Sequence, residues 1–219
     1  MIDLSTVEII KIVASILALA VAIIGHEIMH GWVAYKYGDN TAKNAGRLSI
    51  NPIVHIDPIG TILIPAILYF THAPFLFGWA KPVPVDIDTV IRNGGYNAAI
   101  AVALAGITYN LILAAFFATI LPIFANPDTL FGVFIALFIA QSIMINVVLA
   151  VFNLWPIPPL DGSQALLYLT QKFKWYKFAQ IYEKIYPYGM LILFGILFIP
   201  QLSNILFAPV GWILNLILP

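Results

Sequence analysis

The sequence predicts an all-α fold, a polytopic bundle of about five to six transmembrane helices. Composition is the first reason: hydrophobic residues make up 62% of the chain and charged residues 9%, whereas soluble domains are about half apolar and about a quarter charged. Long, almost uncharged stretches are the second reason, because a membrane span needs roughly 20 apolar residues. Lipid cannot satisfy an open backbone, so the spans must be helices. We expect one multi-pass domain of the cell membrane over residues 1–219.

The apolar stretches give the predicted order of the helices. Core helices are expected at about 5–35, 96–125 and 130–152. A C-terminal hairpin is expected at about 186–218, with Pro200 between its two halves because proline interrupts a helix.

Two segments between the core helices predict other structures. The polar stretch 39–57 is rich in turn formers, which favours a loop or a short β hairpin. Segment 59–70 is apolar but only about a dozen residues long, and it contains Pro65. This length fits a re-entrant segment better than a full span.

The proline-rich stretch 72–95 predicts an extended strand or loop at a membrane face. Within WAKPVPVD at 79–86, prolines at alternate positions leave Val83 and Val85 free to pair as an edge strand. A solvated loop explains the same residues, and the sequence leaves both interpretations open.

Charge and cysteine content narrow the classes of function. The formal net charge is zero, which argues against a nucleic-acid partner. The chain has no cysteine, so a thiolate metal site and a disulfide framework are both excluded. Any metal must therefore be bound by histidine or carboxylate.

The segment GHEIMH at 25–30 carries the strongest chemical pattern. His26 and His30 are four residues apart, so on a helix they project from one face and can share a cation. Neutral imidazole suits Zn²⁺, and Glu27 is placed to take a proton from water at the metal. A chance pattern is the alternative, but ionisable residues inside an apolar helix are costly and mark functional sites.

A catalytic zinc usually has three protein ligands and a water, so one ligand is missing. Asp161 is the best placed distant acid, because it follows a long apolar helix in the break PIPPLDG, where Gly162 permits a turn. The alternative is that Asp161 caps a helix. Its pairing with the two histidines favours the role of metal ligand.

These motifs together resemble the site-2 protease family of intramembrane zinc metalloproteases. HEIMH lies in one membrane helix and NLWPIPPLDG follows another, while NPIVHIDPIGT, FGWAKPVPVD and AGITYN are similar to further family segments. The resemblance covers most of the chain. It departs from the usual Asn-Pro-Asp-Gly at Pro159 and Leu160, and Asp161 and Gly162 match.

The resemblance implies one zinc per chain, held by His26, His30 and Asp161, with Glu27 as the catalytic base. It implies cleavage of transmembrane protein substrates within or near the bilayer, that is, regulated intramembrane proteolysis. Selection of the substrate is expected to rest on the membrane core or on a regulatory membrane partner.

Two more residues are candidate substrate-binding or oxyanion groups. Asn153 matches a family asparagine eight residues before the aspartate, and a preorganised amide donor can stabilise an oxyanion. A helix C-cap is the alternative role for Asn153. His55 is a second candidate donor or an outer-shell partner of the metal ligands, and an ordinary polar loop residue is the alternative.

Basic residues orient the predicted bundle. If 59–70 does not cross, all of the lysines and arginines after the first helix share one side, which the positive-inside rule makes the cytoplasmic side. Both metal-site segments then lie toward the cytoplasmic half. The basic residues are Lys36, Lys43, Arg47, Lys81, Arg92, Lys172, Lys174, Lys177 and Lys184.

Two other functions use the same residues. A membrane metal-ion transporter or channel would use the His/Glu/Asp cluster as a transient cation site, although the sequence shows no inverted repeat. An inactive scaffold is the third class, and the intact Glu27 argues against it.

Overall fold

The fold is described from a computed structural model that covers residues 4–73, 75 and 77–218. The chain forms nine α-helices within these residues. They are α1 (Leu4–Lys36), α2 (Thr41–Asn44), α3 (Ile64–Phe70), α4 (Ile87–Ile120), α5 (Leu130–Leu154), α6 (Asp161–Lys172), α7 (Tyr176–Ile185), α8 (Gly189–Phe198) and α9 (Pro200–Ile217).

Five helical stretches are long and apolar enough to cross a membrane, which confirms the predicted all-α, multi-pass fold. Three of them overlap the ranges 5–35, 96–125 and 130–152, and the last two overlap the range 186–218. The stretches are Ser5–Lys36, Ile87–Phe124, Leu130–Leu154, Tyr176–Phe198 and Pro200–Ile217.

The second core helix begins nearer the N-terminus of the chain than predicted. It starts at Ile87, and the Asp86 side chain accepts a hydrogen bond from the Thr89 amide as its cap. Gly95 then interrupts the helical backbone with a φ of 67°. The turns before Gly95 are polar, so the apolar pattern that predicts a membrane helix does not include them.

The short apolar segment 59–70 is helical. A wide helical turn of six residues (Pro58–Leu63) leads into the seven residues of α3. At about 1.5 Å per residue the pair measures about 20 Å, which is shorter than the roughly 30 Å of a hydrocarbon core. This length is consistent with a re-entrant segment.

The predicted short β hairpin or edge strand is wrong, since the described residues contain no β-strand. Residues 77–86, which we call the extended segment, bond to side chains and to the backbone of the helical turns at Pro52–His55 and Pro58–Leu63 instead of to a strand. The Trp79 amide donates to the Gly60 carbonyl at 3.1 Å, and the Lys81 amide donates to the His55 carbonyl at 2.9 Å. Residues 74 and 76 of the predicted 72–95 stretch lie outside the described residues.

Helices α1, α4 and α5 pack against one another as the central bundle, and α6 packs against α4. The face of α1 toward the bundle is lined by Ala14, Ala18 and Ala22, all fully buried and each one turn apart. Small side chains let membrane helices approach closely. The central bundle therefore brings the histidines of α1 within reach of α4 and α6.

Candidate metal centre

Helix α1 presents His26 and His30 on one face, as their spacing predicts. Their Nε2 atoms are 3.1 Å apart. Gly106 of α4 makes room for the His26 ring, because a Cβ atom at Gly106 would lie 2.5 Å from it. The close approach of α4 places both rings among polar groups of that helix.

The His26 ring is oriented by a side chain of α4. Its Nδ1 lies 2.6 Å from the Asn110 Oδ1, and an amide oxygen can only accept. The proton of the neutral imidazole is therefore on Nδ1. The Nε2 atom of His26 then carries a free lone pair toward the centre of the site.

The His30 ring is oriented by backbone. Its Nδ1 lies 2.7 Å from the Val102 carbonyl oxygen, which also only accepts. In the neutral ring the proton is again on Nδ1 and the lone pair is on Nε2. Both histidines thus have the tautomer that offers Nε2 to a metal.

Asp161 is the first residue of α6, and its Oδ2 lies 3.0 Å from His26 Nε2 and 3.3 Å from His30 Nε2. Leu160 occupies the N-cap position, so the alternative in which Asp161 caps the helix is wrong. The carboxylate points into the bundle, as the sequence predicts.

The loop before Asp161 is held from three sides. The Tyr182 hydroxyl of α7 donates to the Pro156 carbonyl at 2.7 Å, and the Trp155 indole donates to the Leu206 carbonyl of α9 at 3.0 Å. Gly162 allows α6 to start against the end of α5, because a Cβ there would lie 2.0 Å from the Leu154 carbonyl oxygen. This close packing fixes the position of the carboxylate.

The three side chains fit a metal. Two imidazole lone pairs and a carboxylate oxygen converge, all within 4.8 Å of one another, and the buried Asp161 Oδ2 has no hydrogen-bond partner among the described residues. Converging acceptors without a proton repel one another unless a cation lies between them. Two neutral imidazoles and a carboxylate are a donor set that Zn²⁺ takes in hydrolytic sites, with a fourth position open.

Glu27 lies beside this cluster but outside it. Its Oε2 accepts a hydrogen bond from the Val83 amide at 2.8 Å. The prediction that Val83 is free for strand pairing is therefore wrong. Val83 reaches this position by packing on Gly31, where a Cβ would lie 2.8 Å from the Val83 side chain. The extended segment thus holds the carboxylate of Glu27 in place.

A cavity of about 580 Å³ opens beside the cluster. Its wall includes the three candidate ligands and Glu27, together with Asn153, Gln164 and Tyr168. Asn153 lies inside α5, where its Nδ2 donates to the Leu149 carbonyl at 3.0 Å, so it is not a helix C-cap. Burial raises the pKa of the Tyr168 phenol, which keeps it a neutral hydrogen-bond donor at the wall.

His55 lies elsewhere. It is buried, its Nε2 is 2.8 Å from the Ser49 carbonyl, and it does not line the cavity. Its own carbonyl accepts from Lys81 in the extended segment. His55 therefore supports the extended segment through its backbone. An oxyanion role would require the His55 imidazole to reach the cavity wall.

Sequence reasoning missed some residues of the site. Asn110, the last residue of AGITYN, was not among the predicted site residues, yet it is the partner of His26. Gln164 and Tyr168 follow Asp161 by three and seven residues, a spacing that puts them on one face of α6. The signal for Asn110 was its position as a polar residue in an apolar helix.

Comparison with known proteins gives consistent matches. The model of peptidase family M50 matches residues 125–197, which include Asp161. YwhC of Bacillus subtilis is 37% identical over 89% of this chain and 84% of its own length. MJ0611 of Methanocaldococcus jannaschii is 33% identical over 73% of this chain and 72% of its own. Rip2 of Mycolicibacterium smegmatis is 27% identical over 85% and 67%. All three are named as candidate zinc metalloproteases, and no solved structure matches.

Replacing Gly162 by alanine is expected to displace Asp161, because the new Cβ would collide with the backbone of Leu154. We expect zinc affinity to fall by about tenfold or more, as elemental analysis and chelator competition on the purified protein would measure. Gly195→Ala is the matched control, since nothing lies within 4 Å of its added Cβ. Undiminished zinc binding by Gly162→Ala would contradict this account of how the loop is held.

Proposed function

The chain belongs to peptidase family M50, the site-2 protease family, and we propose that it hydrolyses peptide bonds of transmembrane protein substrates within or near the bilayer. It is a zinc-dependent metalloprotease with a multi-pass helical bundle. One observation carries the proposal: His26 and His30 of the apolar helix α1 meet Asp161 at the start of α6, beside a cavity in the helical bundle.

We propose that His26 Nε2, His30 Nε2 and Asp161 hold one zinc ion. Bound there, zinc supplies a Lewis acid that polarises a carbonyl and lowers the pKa of water. The residues of the chain fix the donor atoms before binding, since both imidazoles are held by α4 and the carboxylate is held by the start of α6. Preorganised ligands lower the cost of assembling the site.

Glu27 is the proposed general base. It takes a proton from the attacking water and returns one to the leaving amine. The Val83 amide binds one carboxylate oxygen, which leaves the other free to face the water. Glu27 is thereby kept at the cavity wall and apart from the three metal ligands.

Asn153 is the proposed oxyanion donor. Only one of its amide hydrogens is used by the Leu149 carbonyl, so the other can donate to a developing oxyanion at the cavity wall. We further propose that the site lies toward the cytoplasmic half and that a membrane partner regulates access, as the basic residues and the family suggest.

The extended segment is the proposed docking edge for an unwound substrate. Both backbone groups of Trp79 and of Lys81 face the protein: the amides donate to Gly60 and His55, and the carbonyls accept from Thr61 and Arg47. In an extended chain the next residues face the other way. Ala80 and Pro82 therefore turn their backbone toward the cavity that they line.

This outward edge is rich in acceptors. Pro82 has a carbonyl but no amide hydrogen, so a strand added there would donate its own amides to the edge. The predicted pairing through Val83 and Val85 is replaced by pairing through Ala80 and Pro82. A proline edge resists pairing with other sheet edges and still accepts a substrate.

The central test compares native protein with Glu27→Gln and Asp161→Ala in detergent or bilayer nanodiscs. The probe is a synthetic Leu/Ala transmembrane peptide of about 25 residues with a central Gly-Ser break. We expect Glu27→Gln to keep its zinc while cleavage falls by about 10²- to 10⁴-fold. Asp161→Ala is expected to lose both zinc and cleavage, because two histidines leave the site one ligand short.

Glu183→Gln, at an exposed position of α7, is the matched control and is expected to cleave normally. Two results together would favour a metal transporter over the protease. The protein would bind zinc without cleaving several such peptides, and it would carry metal across vesicles at a rate that Glu27→Gln leaves unchanged.

Val83→Pro is expected to slow cleavage by about tenfold with zinc affinity unchanged, because it removes the amide that holds Glu27. Val83→Ala keeps the amide and controls for the lost side chain. Rates from single-turnover cleavage and zinc affinities from chelator competition would be compared. Equal rates for the two variants would show that the amide has no role.

N-methylation of the probe peptide tests the acceptor edge. The amides of a docked strand alternate between facing the edge and facing away from it. Methylation of the set that faces the edge is expected to lower kcat/KM by about tenfold, since those amides donate to the carbonyls of Ala80 and Pro82. Methylation of the intervening amides is the control and is expected to have less effect. A loss without a period of two residues would rule out docking as a strand.

A further inference from the structure

Two asparagines lie at the centre of the membrane bundle, where polar side chains are costly. Asn110 of α4 and Asn146 of α5 are both 0% exposed. The Asn110 Nδ2 donates to the Asn146 Oδ1 at 2.7 Å, so the two amides join the neighbouring helices α4 and α5. Asn110 in turn contacts the candidate metal ligand His26 of α1.

The direction of every hydrogen bond in this chain of contacts is fixed. Asn146 Nδ2 donates to the Ser142 carbonyl at 2.8 Å, and Asn110 Nδ2 donates to the Ala22 carbonyl at 3.2 Å. Backbone carbonyls only accept, so neither amide can be flipped without placing oxygen against oxygen. The Asn146 Oδ1 therefore faces Asn110, and the Asn110 Oδ1 faces His26.

These hydrogen-bond directions determine which nitrogen of His26 is unprotonated. Because the Asn110 Oδ1 accepts, His26 Nδ1 must donate, and its Nε2 points unprotonated toward Asp161. A flipped Asn110 would present an N–H group to Nδ1, which would favour the proton on Nε2 and block the metal position. The orientation of Asn110 is thus a condition for metal binding at His26.

We propose that Asn110 and Asn146 are positioning residues for the zinc site, and that Asn146 acts only through Asn110. Asn110 orients His26 and sets its tautomer, while Asn146 and the Ala22 carbonyl hold Asn110 against flipping. His30 needs no such pair, because the backbone carbonyl of Val102 does the same for it. The proposal rests on zinc binding at His26 and does not depend on proteolysis.

A packing role alone predicts different behaviour. If the two asparagines only bound α1, α4 and α5 together, leucine in their place would change the stability of the fold and leave the zinc affinity of the folded protein unaltered. A positioning pair predicts lower zinc affinity in folded protein. It also predicts that the two substitutions are coupled, because one residue acts through the other.

The test uses the full chain in detergent with zinc and cobalt as probes. Zinc affinity is measured by chelator competition, and the visible absorption of the cobalt-loaded protein reports the ligand set. The variants are Asn110→Leu, Asn146→Leu and the double variant. Thr108→Val is the matched control, because it removes a side-chain hydrogen bond from the same helix at an exposed position.

We expect Asn110→Leu to weaken zinc binding by about 10- to 100-fold and to alter the cobalt spectrum. Asn146→Leu is expected to weaken binding by about threefold to tenfold, since Asn110 keeps one anchor at Ala22. The double variant should match Asn110→Leu, and Thr108→Val should match the native protein.

Native zinc affinity in folded Asn110→Leu would overturn the proposal, and so would a double variant whose loss is the product of the two single losses. If Asn110→Leu does not fold, Asn146→Leu decides alone, because it leaves the His26 contact in place: unchanged affinity and an unchanged cobalt spectrum would then overturn it. Failure of peptide cleavage with these zinc results intact would count against the proposed function only.

Discussion

The structure depends on the cost of placing polar atoms inside an apolar bundle. Two imidazoles and a carboxylate face one another there. The Nδ1–H group of each imidazole must find an acceptor within the same bundle. Helix α4 supplies two acceptors on one face, the Val102 carbonyl oxygen and the Asn110 amide oxygen. Gly106 lies one turn from each and leaves room for the His26 ring. The packing of α1 against α4 is therefore inseparable from the chemistry of the site.

The extended segment solves a related problem. An irregular backbone inside or near a membrane has amides and carbonyls that lipid cannot satisfy. Here alternate residues bond to the 47–61 region and to Glu27, which turns the inner edge of the segment into part of the fold. The outer edge faces the cavity, where a peptide can satisfy it. One short stretch of chain thus holds the carboxylate of Glu27 and also forms the edge at which we propose that a substrate docks.

Sequence patterns predicted the apolar helices and the pair of candidate metal ligands on α1, because both follow from the spacing of neighbouring residues. The spacing of His26 and His30 puts them on one helix face, and a zinc site needs a third ligand, which pointed to Asp161. The hairpin prediction failed because turns, edges and short helical turns share one composition. Residues 39–57 form α2 and a helical turn at Pro52–His55, and residues 79–86 bond to Glu27 and to the 47–61 region. The first turns of α4 were missed because they are polar and precede the kink at Gly95.

The sequence by itself determined the class of the protein: a multi-pass helical bundle, a pair of histidines one turn apart with a glutamate beside them, and a distant aspartate after a proline-rich break. Periodicity and hydropathy are properties of neighbouring residues, so they can be read from the chain alone. The tertiary structure decided which groups hydrogen-bond to those residues. Val83 holds Glu27 and Asn110 holds His26 because packing brings together residues 56 and 84 positions apart, and no local pattern records such a contact.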